Sequence, residues 1–278
     1  MDRRALLRQV LVACPAYALL AALAGTRGPA GPDAAARRWI LDQQDLALAL
    51  ARGEIHPRRW QAEVEALLRR VDLATLSAEI GRAEARHVGR ALPNYPVKHS
   101  LVFRDEAGVS RRLRYATALF RFDRGNVITP HGHRHMVSAH LVIEGAFRVR
   151  TFDRLRDEAG AMILRPSGDA AVGTGEVSTM SAARDNVHWF VPRAARAATF
   201  DVIVSGLDPG APAFRIEAVD PVRGERLSDG SLRAPIIDFV EASRFYTAEV
   251  CSAKASPAGR RNVILTSPGR HPNVTCRQ

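Results

Sequence analysis

Hydrophobic positions recur at helical spacing in the first third of the chain. Residues 39–52 form one such segment, which stops at Gly53, a residue type that commonly follows the last turn of a helix. Pro57 opens a second segment, whose large apolar residues fall on one helical face: Trp60, Val64, Leu67, Leu68 and Val71. We therefore predict a helical region over residues 37–96 that packs this face on the rest of the protein.

After Pro93 the pattern changes to short runs that are typical of β-strands. These runs, at 100–104, 113–121, 138–143, 146–152 and 200–204, are separated by turns that contain glycine. Many short strands with no helix between them indicate an antiparallel sandwich or barrel. We predict a mainly β barrel over residues 97–207, with the helical region packed on it.

The end of the chain follows a different pattern. Residues 208–250 form a C-terminal extension, with a predicted strand at 214–219 and a predicted helix at 239–246. Residues 251–278 have little hydrophobic content, and we expect them to form a disordered tail. Cys251 and Cys276 lie in this tail, where they would either pair in an oxidising compartment or remain free thiols.

The first 24 residues resemble a twin-arginine signal peptide. Arg3 and Arg4 precede an uncharged run over residues 10–24, and this run closes with the small-x-small pattern of a cleavage site. Asp2 stands where Ser or Thr is usual in such signals. We expect residues 1–24 to engage the export machinery and the mature protein to be periplasmic or secreted. The alternative is a short helix packed on the domain, in which case the protein is cytoplasmic.

Composition adds three expectations. Residues 25–36 are rich in Gly, Pro and Ala and are predicted to be a linker. The formal net charge is +11, but the arginines are scattered and no basic run is interleaved with aromatic residues, so we expect no nucleic-acid partner. No apolar stretch reaches the roughly 18 residues that a membrane-spanning helix needs.

Candidate metal chemistry is concentrated in one short segment. Four of the nine histidines lie within ten positions: His131, His133, His135 and His140. Side chains two residues apart on a strand share a face, so His131 and His133 can direct two imidazoles at one metal ion. A third ligand has to come from another strand, and His188 is our candidate.

This segment resembles the first motif of the cupin superfamily, which is Gly, five residues, His-x-His, three or four residues, Glu, six residues, Gly. Gly125, the histidine pair and Gly145 stand at matching positions, but Ser138 occupies the Glu position. His188, preceded by a Gly-Glu-Val sequence at 175–177, is similar to the end of the second motif, although the usual Pro and Asn are missing there. The resemblance covers residues 97–207 and implies a double-stranded β-helix, or jelly-roll barrel, with His188 opposite the histidine pair.

The resemblance also implies a metal centre without a carboxylate. The site is similar to that of the three-histidine thiol dioxygenases, which implies Fe(II), although imidazole nitrogen also suits zinc, nickel and copper, and manganese is a further alternative. His140 is an alternative fourth ligand. Ser138 is expected to hydrogen-bond a metal-bound water, and His135 to lie on the surface or beside the ligands. Because ligands must be deprotonated, metal affinity is expected to weaken as pH falls through about 6.5.

Two functional interpretations remain open. The first is an exported dioxygenase-like enzyme acting on a small thiol or carboxylate, which Arg104, Arg114 or Arg121 would anchor if one of them points inward. The second is a non-catalytic metal- or ligand-binding module. An open coordination position facing a pocket favours the enzyme, and a closed four-histidine site favours the module. The expected partners are a small-molecule substrate and, as an open alternative, a second copy of the chain in a homodimer.

The signal-peptide interpretation predicts that the mature protein begins near Gly25. Cleavage after the small-x-small site removes residues 1–24 during export. N-terminal sequencing of protein from separated cell fractions measures this directly. Full-length cytoplasmic protein that retains Met1 would contradict the prediction.

Overall fold

The computed structural model describes residues 32–87, 91–103, 113–123 and 125–248 of the chain. The predicted signal peptide, most of the predicted linker, Arg104 and the cysteine-containing tail lie outside these described residues. Within them, no helix is both long enough and apolar enough to cross a membrane.

Within the described residues, three helices precede the sheets and a fourth follows them. They are α1 (Pro32–Ala51), α2 (Pro57–Leu68), α3 (Leu73–Arg82) and α4 (Phe239–Phe245). The first begins inside the segment predicted to be a linker, because proline is well tolerated in a first helical turn and the alanines after it favour helix. His56 caps α2 by accepting a hydrogen bond from the Arg58 amide, and Asp72 caps α3 in the same way through Thr75.

Thirteen strands form two antiparallel sheets in the described residues. They are β1 (Glu84–His87), β2 (Val97–Val102), β3 (Ala116–Phe122), β4 (Ile128–Arg134), β5 (Met136–Glu144), β6 (Ala146–Glu158), β7 (Ala161–Gly173), β8 (Val177–Met180), β9 (Val187–Pro192), β10 (Ala197–Ser205), β11 (Arg215–Val219), β12 (Glu225–Arg226) and β13 (Leu232–Ile237). The first sheet has the order β1-β2-β3-β10-β5-β8, and the second has the order β11-β4-β9-β6-β7-β13-β12.

The inner faces of the two sheets share a hydrophobic core. Phe120 and Phe122 of the first sheet cluster with Phe147 and Phe190 of the second. The rings of Phe122 and Phe147 meet edge to face, with their centroids 4.8 Å apart. Two antiparallel sheets facing each other across such a core form the mainly β jelly-roll barrel, or double-stranded β-helix, that the sequence predicted.

The outer face of the first sheet is covered by the N-terminal helices, as predicted. Trp60, Val64 and Leu68 are buried in a cluster that includes Leu141 and Phe200 of the sheet. Leu67 and Val71, the other members of the predicted stripe, are only partly buried. The helices therefore belong to the same folded unit as the barrel.

The sheets extend beyond the segment 97–207 on both sides. β1 precedes this segment, and β11, β12 and β13 lie in the C-terminal extension and join the second sheet. The pairing of β11 with β4 matters most, because β4 carries the histidine pair. The sequence reasoning did not predict β7, whose residues 165–171 are all exposed and so lack the alternation of a half-buried strand.

The packing of α2 predicts a large loss of stability for Leu68→Ala. Leu68 is 1% exposed, and truncating it leaves a cavity against the sheet, so the free energy of unfolding should fall by about 2–5 kcal/mol. Chemical denaturation measures this change. Leu67→Ala, one position earlier and half-buried, is the matched control and should cost less. An unchanged midpoint for Leu68→Ala would contradict the packing.

Candidate metal centre

The three predicted ligands lie together on the inner face of the second sheet. His131 and His133 project from β4, and His188 is the direct antiparallel partner of His131 on the neighbouring strand β9. One ring nitrogen from each lies within 4.8 Å of the others. All three side chains are buried.

The position of His188 corrects one expectation. The cupin resemblance implied a third histidine opposite the pair, but β4 and β9 are adjacent in the same sheet. Direct cross-strand partners point to the same face, so the ring of His188 packs beside that of His131, with centroids 4.5 Å apart. The centroids of His133 and His188 are 5.0 Å apart.

Neighbouring groups fix the ring of His131 and hold β4 against β9. Nδ1 of His131 lies 2.7 Å from the carbonyl oxygen of Thr129, so it donates its hydrogen there and leaves Nε2 free to bind a metal. Gly132 allows the strands to approach, because a Cβ there would lie 3.1 Å from both Asn186 Oδ1 and Val187 Cγ2. The side-chain amide of Asn186 donates to the carbonyl oxygen of His133.

Two nitrogens of the cluster are buried without a hydrogen-bond partner among the described residues. They are Nε2 of His133 and Nδ1 of His188. Burying an unpaired polar atom typically costs 1–3 kcal/mol, so native proteins rarely leave one without a reason. Nδ1 of His133 lies 3.1 Å from the thioether sulfur of Met136 and donates its hydrogen there. The lone pair of the ring is then on Nε2, the unpartnered nitrogen. A metal ion bound to these nitrogens would satisfy both, so the donor set fits a divalent metal.

Burial keeps the three imidazoles neutral. It lowers the pKa of His131 to about 4, against an ordinary value of 6.5, and the hydrogen bond to Thr129 only partly offsets this. The pKa values of His133 and His188 are also well below the ordinary range, first because of burial and then because of repulsion from the neighbouring histidines. The neutral form is the one that binds metals, so protons compete for the site at a lower pH than the expected 6.5.

His140 faces this cluster from the first sheet, but its two ring nitrogens are already engaged. Nδ1 lies 2.8 Å from Oδ2 of Asp201, and Nε2 lies 2.8 Å from the hydroxyl of Ser138. Its ring centroid is 5.0 Å from that of His188. The structure thus groups three histidines and gives the fourth different partners. The hydroxyl group of Ser138 is therefore hydrogen-bonded directly to His140.

His135 lies outside the cluster. It occupies the turn between β4 and β5 with a φ of 60°, and its half-buried ring is 3.4 Å from the carboxylate of Asp208. Its ring is therefore not one of the three clustered imidazoles.

A pocket of about 510 Å³ opens over the three histidines. Its apolar walls include Phe120, Ile128 and Phe239, and Lys98 contributes a partly buried ammonium whose Nζ is 5.4 Å from the centroid of the Phe120 ring. Burial of the histidines beneath an open, largely apolar pocket is typical of a small-molecule site.

Of the candidate substrate anchors, Arg114 and Arg121 lie within the described residues, and neither reaches this pocket. Arg114 donates to the carbonyl oxygens of Ser205 and Gly206, and Arg121 lies on the outer face of the first sheet, beside a separate cavity. Lys98 of β2 lines the pocket instead. Sequence reasoning missed it because the predicted strand began at residue 100, whereas β2 begins at Val97.

Asp201 is a second residue that sequence reasoning missed. It lies on β10, 1% exposed, and pairs in register with His140. A single acidic residue within the apolar run 200–204 was the available signal, because a buried carboxylate needs a specific partner.

No protein-family model matches the chain, and no curated protein matches its sequence. Similar solved structures include a vicilin from Solanum melongena, with 13% identity over 39% of this chain and 27% of that chain, at a TM-score of 0.30. An oxalate oxidase has 18% identity over 46% of this chain and 58% of that chain, at 0.33. KdgF from Halomonas sp. has 15% identity over 44% of this chain and 86% of that chain, at 0.30.

At these identities and TM-scores, the similarities do not indicate a function for this chain. The chain covers only 27% of the vicilin and 58% of the oxalate oxidase. The assignment of the barrel therefore depends on its strand topology, and the assignment of the site on its own geometry.

The geometry predicts which histidines bind metal. Replacing His131, His133 or His188 by Ala should each abolish stoichiometric metal, because each removes one of three clustered donors. His135→Ala is the control and should keep full metal content. His140→Ala should also keep it, because both nitrogens of that ring have other partners. Elemental analysis of the purified variants measures this, and full metal in all three cluster variants would refute the site.

The lowered histidine pKa values predict how the stability of chelator-treated protein depends on pH. Below pH 6.5, the unfolded chain binds protons on these histidines that the folded chain does not, and for His131 this difference persists down to about pH 4. The free energy of unfolding should therefore fall as pH falls through this window. Urea denaturation at several pH values measures the slope, and His188→Gln should reduce it. A slope of the opposite sign would contradict burial of neutral imidazoles.

Proposed function

We propose that the protein is an exported metal-dependent oxidoreductase, dioxygenase-like in type, that acts on a small molecule carrying a thiol or carboxylate. The observation that carries this proposal is the cluster of three buried, neutral imidazoles beneath a 510 Å³ pocket. Fe(II) is the proposed metal. Imidazole ligands also accommodate zinc, nickel or copper, and manganese is a further alternative.

The number of protein ligands supports catalysis. Three protein donors are the usual arrangement of a catalytic metal site, because they leave coordination positions open, whereas structural sites are generally closed by four. The engagement of His140 with Asp201 and Ser138 argues against a closed four-histidine site. Ferrous iron held by three histidines would supply the redox chemistry that a substrate and dioxygen need.

The chain's own residues orient the substrate and limit access of water. Lys98 is a cation of the pocket lining, and it would bind the anionic group of a carboxylate or thiolate substrate. Apolar side chains on several walls, including Phe120, Ile128 and Phe239, exclude water from the substrate's other side. These features favour a small substrate with one charged end.

Export is part of the proposal, and the pattern of residues 1–24 supports it. A twin-arginine-like route carries folded proteins, so a metal would be loaded before the protein leaves the cytoplasm. The metal would then be bound in the cytoplasm, before the folded protein is exposed to competing ions outside it.

The proposal predicts oxygen consumption by the metal-loaded protein. Iron-reconstituted protein should take up dioxygen with at least one member of a panel of thiols and carboxylates, and His131→Ala should not. Lys98→Met should raise KM roughly tenfold or more, because a hydrogen bond to a charged group is worth about 1.5–3 kcal/mol. Arg121→Met is the matched control, since this cation lies on the neighbouring strand but outside the metal pocket.

A different outcome would favour the alternative function. Stoichiometric metal and ligand binding without oxygen uptake, across the panel and with each candidate metal, would identify a non-catalytic binding module.

A further inference from the structure

A second polar cluster lies on the wall of the pocket opposite the three histidines. It consists of Ser138 and His140 on β5 and Asp201 on β10. The three side chains are 1%, 5% and 1% exposed, and all three line the metal pocket. The metal-dependent function proposed above does not use them.

Strand geometry brings these residues into a linear hydrogen-bonded chain. Ser138 and His140 are two residues apart on β5, so they share the inner face. His140 and Asp201 are direct partners across the antiparallel pair β5 and β10. The distances from Ser138 Oγ to His140 Nε2 and from His140 Nδ1 to Asp201 Oδ2 are both 2.8 Å.

The order of the partners determines where the protons lie. The buried Asp201 carboxylate accepts the hydrogen on Nδ1 of His140, which leaves the lone pair on Nε2. Nε2 then accepts the hydroxyl hydrogen of Ser138. A nucleophile within hydrogen-bond reach of a base, with a third group orienting that base, is the geometric signature of an activated serine.

Asp201 fixes the orientation of His140. Its Oδ2 accepts the hydrogen on Nδ1 of His140, and its Oδ1 is buried with no hydrogen-bond partner within the described part of the chain. The carboxylate therefore holds the imidazole with Nε2 directed at Ser138.

We propose that Ser138 is a nucleophile activated by His140 and Asp201, and that the barrel uses it to cleave small carboxylic esters without a metal. Ser138 Oγ forms a bond to the ester carbonyl carbon while its proton passes to Nε2 of His140. The tetrahedral adduct expels the alcohol, which takes this proton. Water then attacks the acyl-serine, losing a proton to His140, and the acid leaves as Ser138 regains its hydrogen.

The pocket constrains the substrate. Its volume of about 510 Å³ suits a short acyl group, and its apolar walls suit an uncharged chain. Among the described lining residues, Lys98 is the Lys or Arg side chain, so it can neutralise negative charge on the substrate. Small esters with an anionic substituent fit these features best.

Covalent labelling of chelator-treated, full-length protein tests the proposal without metal chemistry. A small alkyl fluorophosphonate should phosphonylate Ser138 with loss of fluoride, and peptide mapping by mass spectrometry should locate the adduct. Ser138→Ala should remove the adduct. Ser178→Ala is the matched control, because Ser178 lies beside His140 in the register of β8 and should leave labelling unchanged.

The partners of Ser138 are tested by rate. His140→Gln and Asp201→Asn should each slow labelling of Ser138 by roughly 10²–10⁴-fold, as general-base catalysis requires. Circular dichroism and unfolding midpoints identify variants that fail to fold, and the wild-type result stands independently of them. Folded wild-type protein without an adduct on Ser138, or a folded His140→Gln variant labelled at the wild-type rate, would overturn the proposal. Neither outcome bears on oxygen uptake, so the two functions are tested separately.

Discussion

The antiparallel register between β4 and β9 is the constraint on which the candidate metal centre depends. It makes His131 and His188 direct partners, and the two-residue period of a strand adds His133 to the same face. A shift of one residue would turn an imidazole away from the site. Gly132 permits the close approach, and on the outer face Glu217 of β11 accepts hydrogen bonds from Arg134 of β4 and Arg154 of β6.

Two buried histidine environments lie on facing walls of one pocket, and their partners set their chemistry. On the second sheet, His133 and His188 each keep a ring nitrogen without a hydrogen bond in the described structure, and burial disfavours their protonation. On the first sheet, His140 is hydrogen-bonded at both nitrogens, with a carboxylate on one side and a hydroxyl on the other. The first arrangement suits a metal ion, and the second suits transfer of a proton.

Local features could be predicted well from the sequence, and long-range contacts could not. The helical stripe around Trp60 has a clear period, because it buries one face against the sheet. The runs in β5 and β10 are mainly apolar, because both faces of these strands are buried. The His-x-His spacing likewise fixes a shared face for His131 and His133. The sheet to which β9 belongs is not encoded in spacing, and the sequence resemblance placed His188 on the wrong side.

Residues that act through distant pairings were the hardest to predict. Asp201 meets His140 across 61 positions of sequence, and nothing in either segment alone specifies that contact. Lys98 and the candidate Arg121 illustrate a further difficulty, because strand parity decides which cation faces the pocket. An error in the predicted start of β2 is enough to direct attention to the wrong side chain.

The place of β4 in the second sheet also imposes an order on assembly. Its neighbours are β9 and β11, at Val187–Pro192 and Arg215–Val219, and both follow it in the chain. During synthesis, β4, which carries His131 and His133, is therefore made before β9 and well before β11, so it cannot pair with either until they follow. Pairing over such separations is slow, because the intervening chain must be closed into a loop first. The three donors that would hold the ion thus come together only after β9 has been made, and occupancy of the site would report that β4 and β9 have paired.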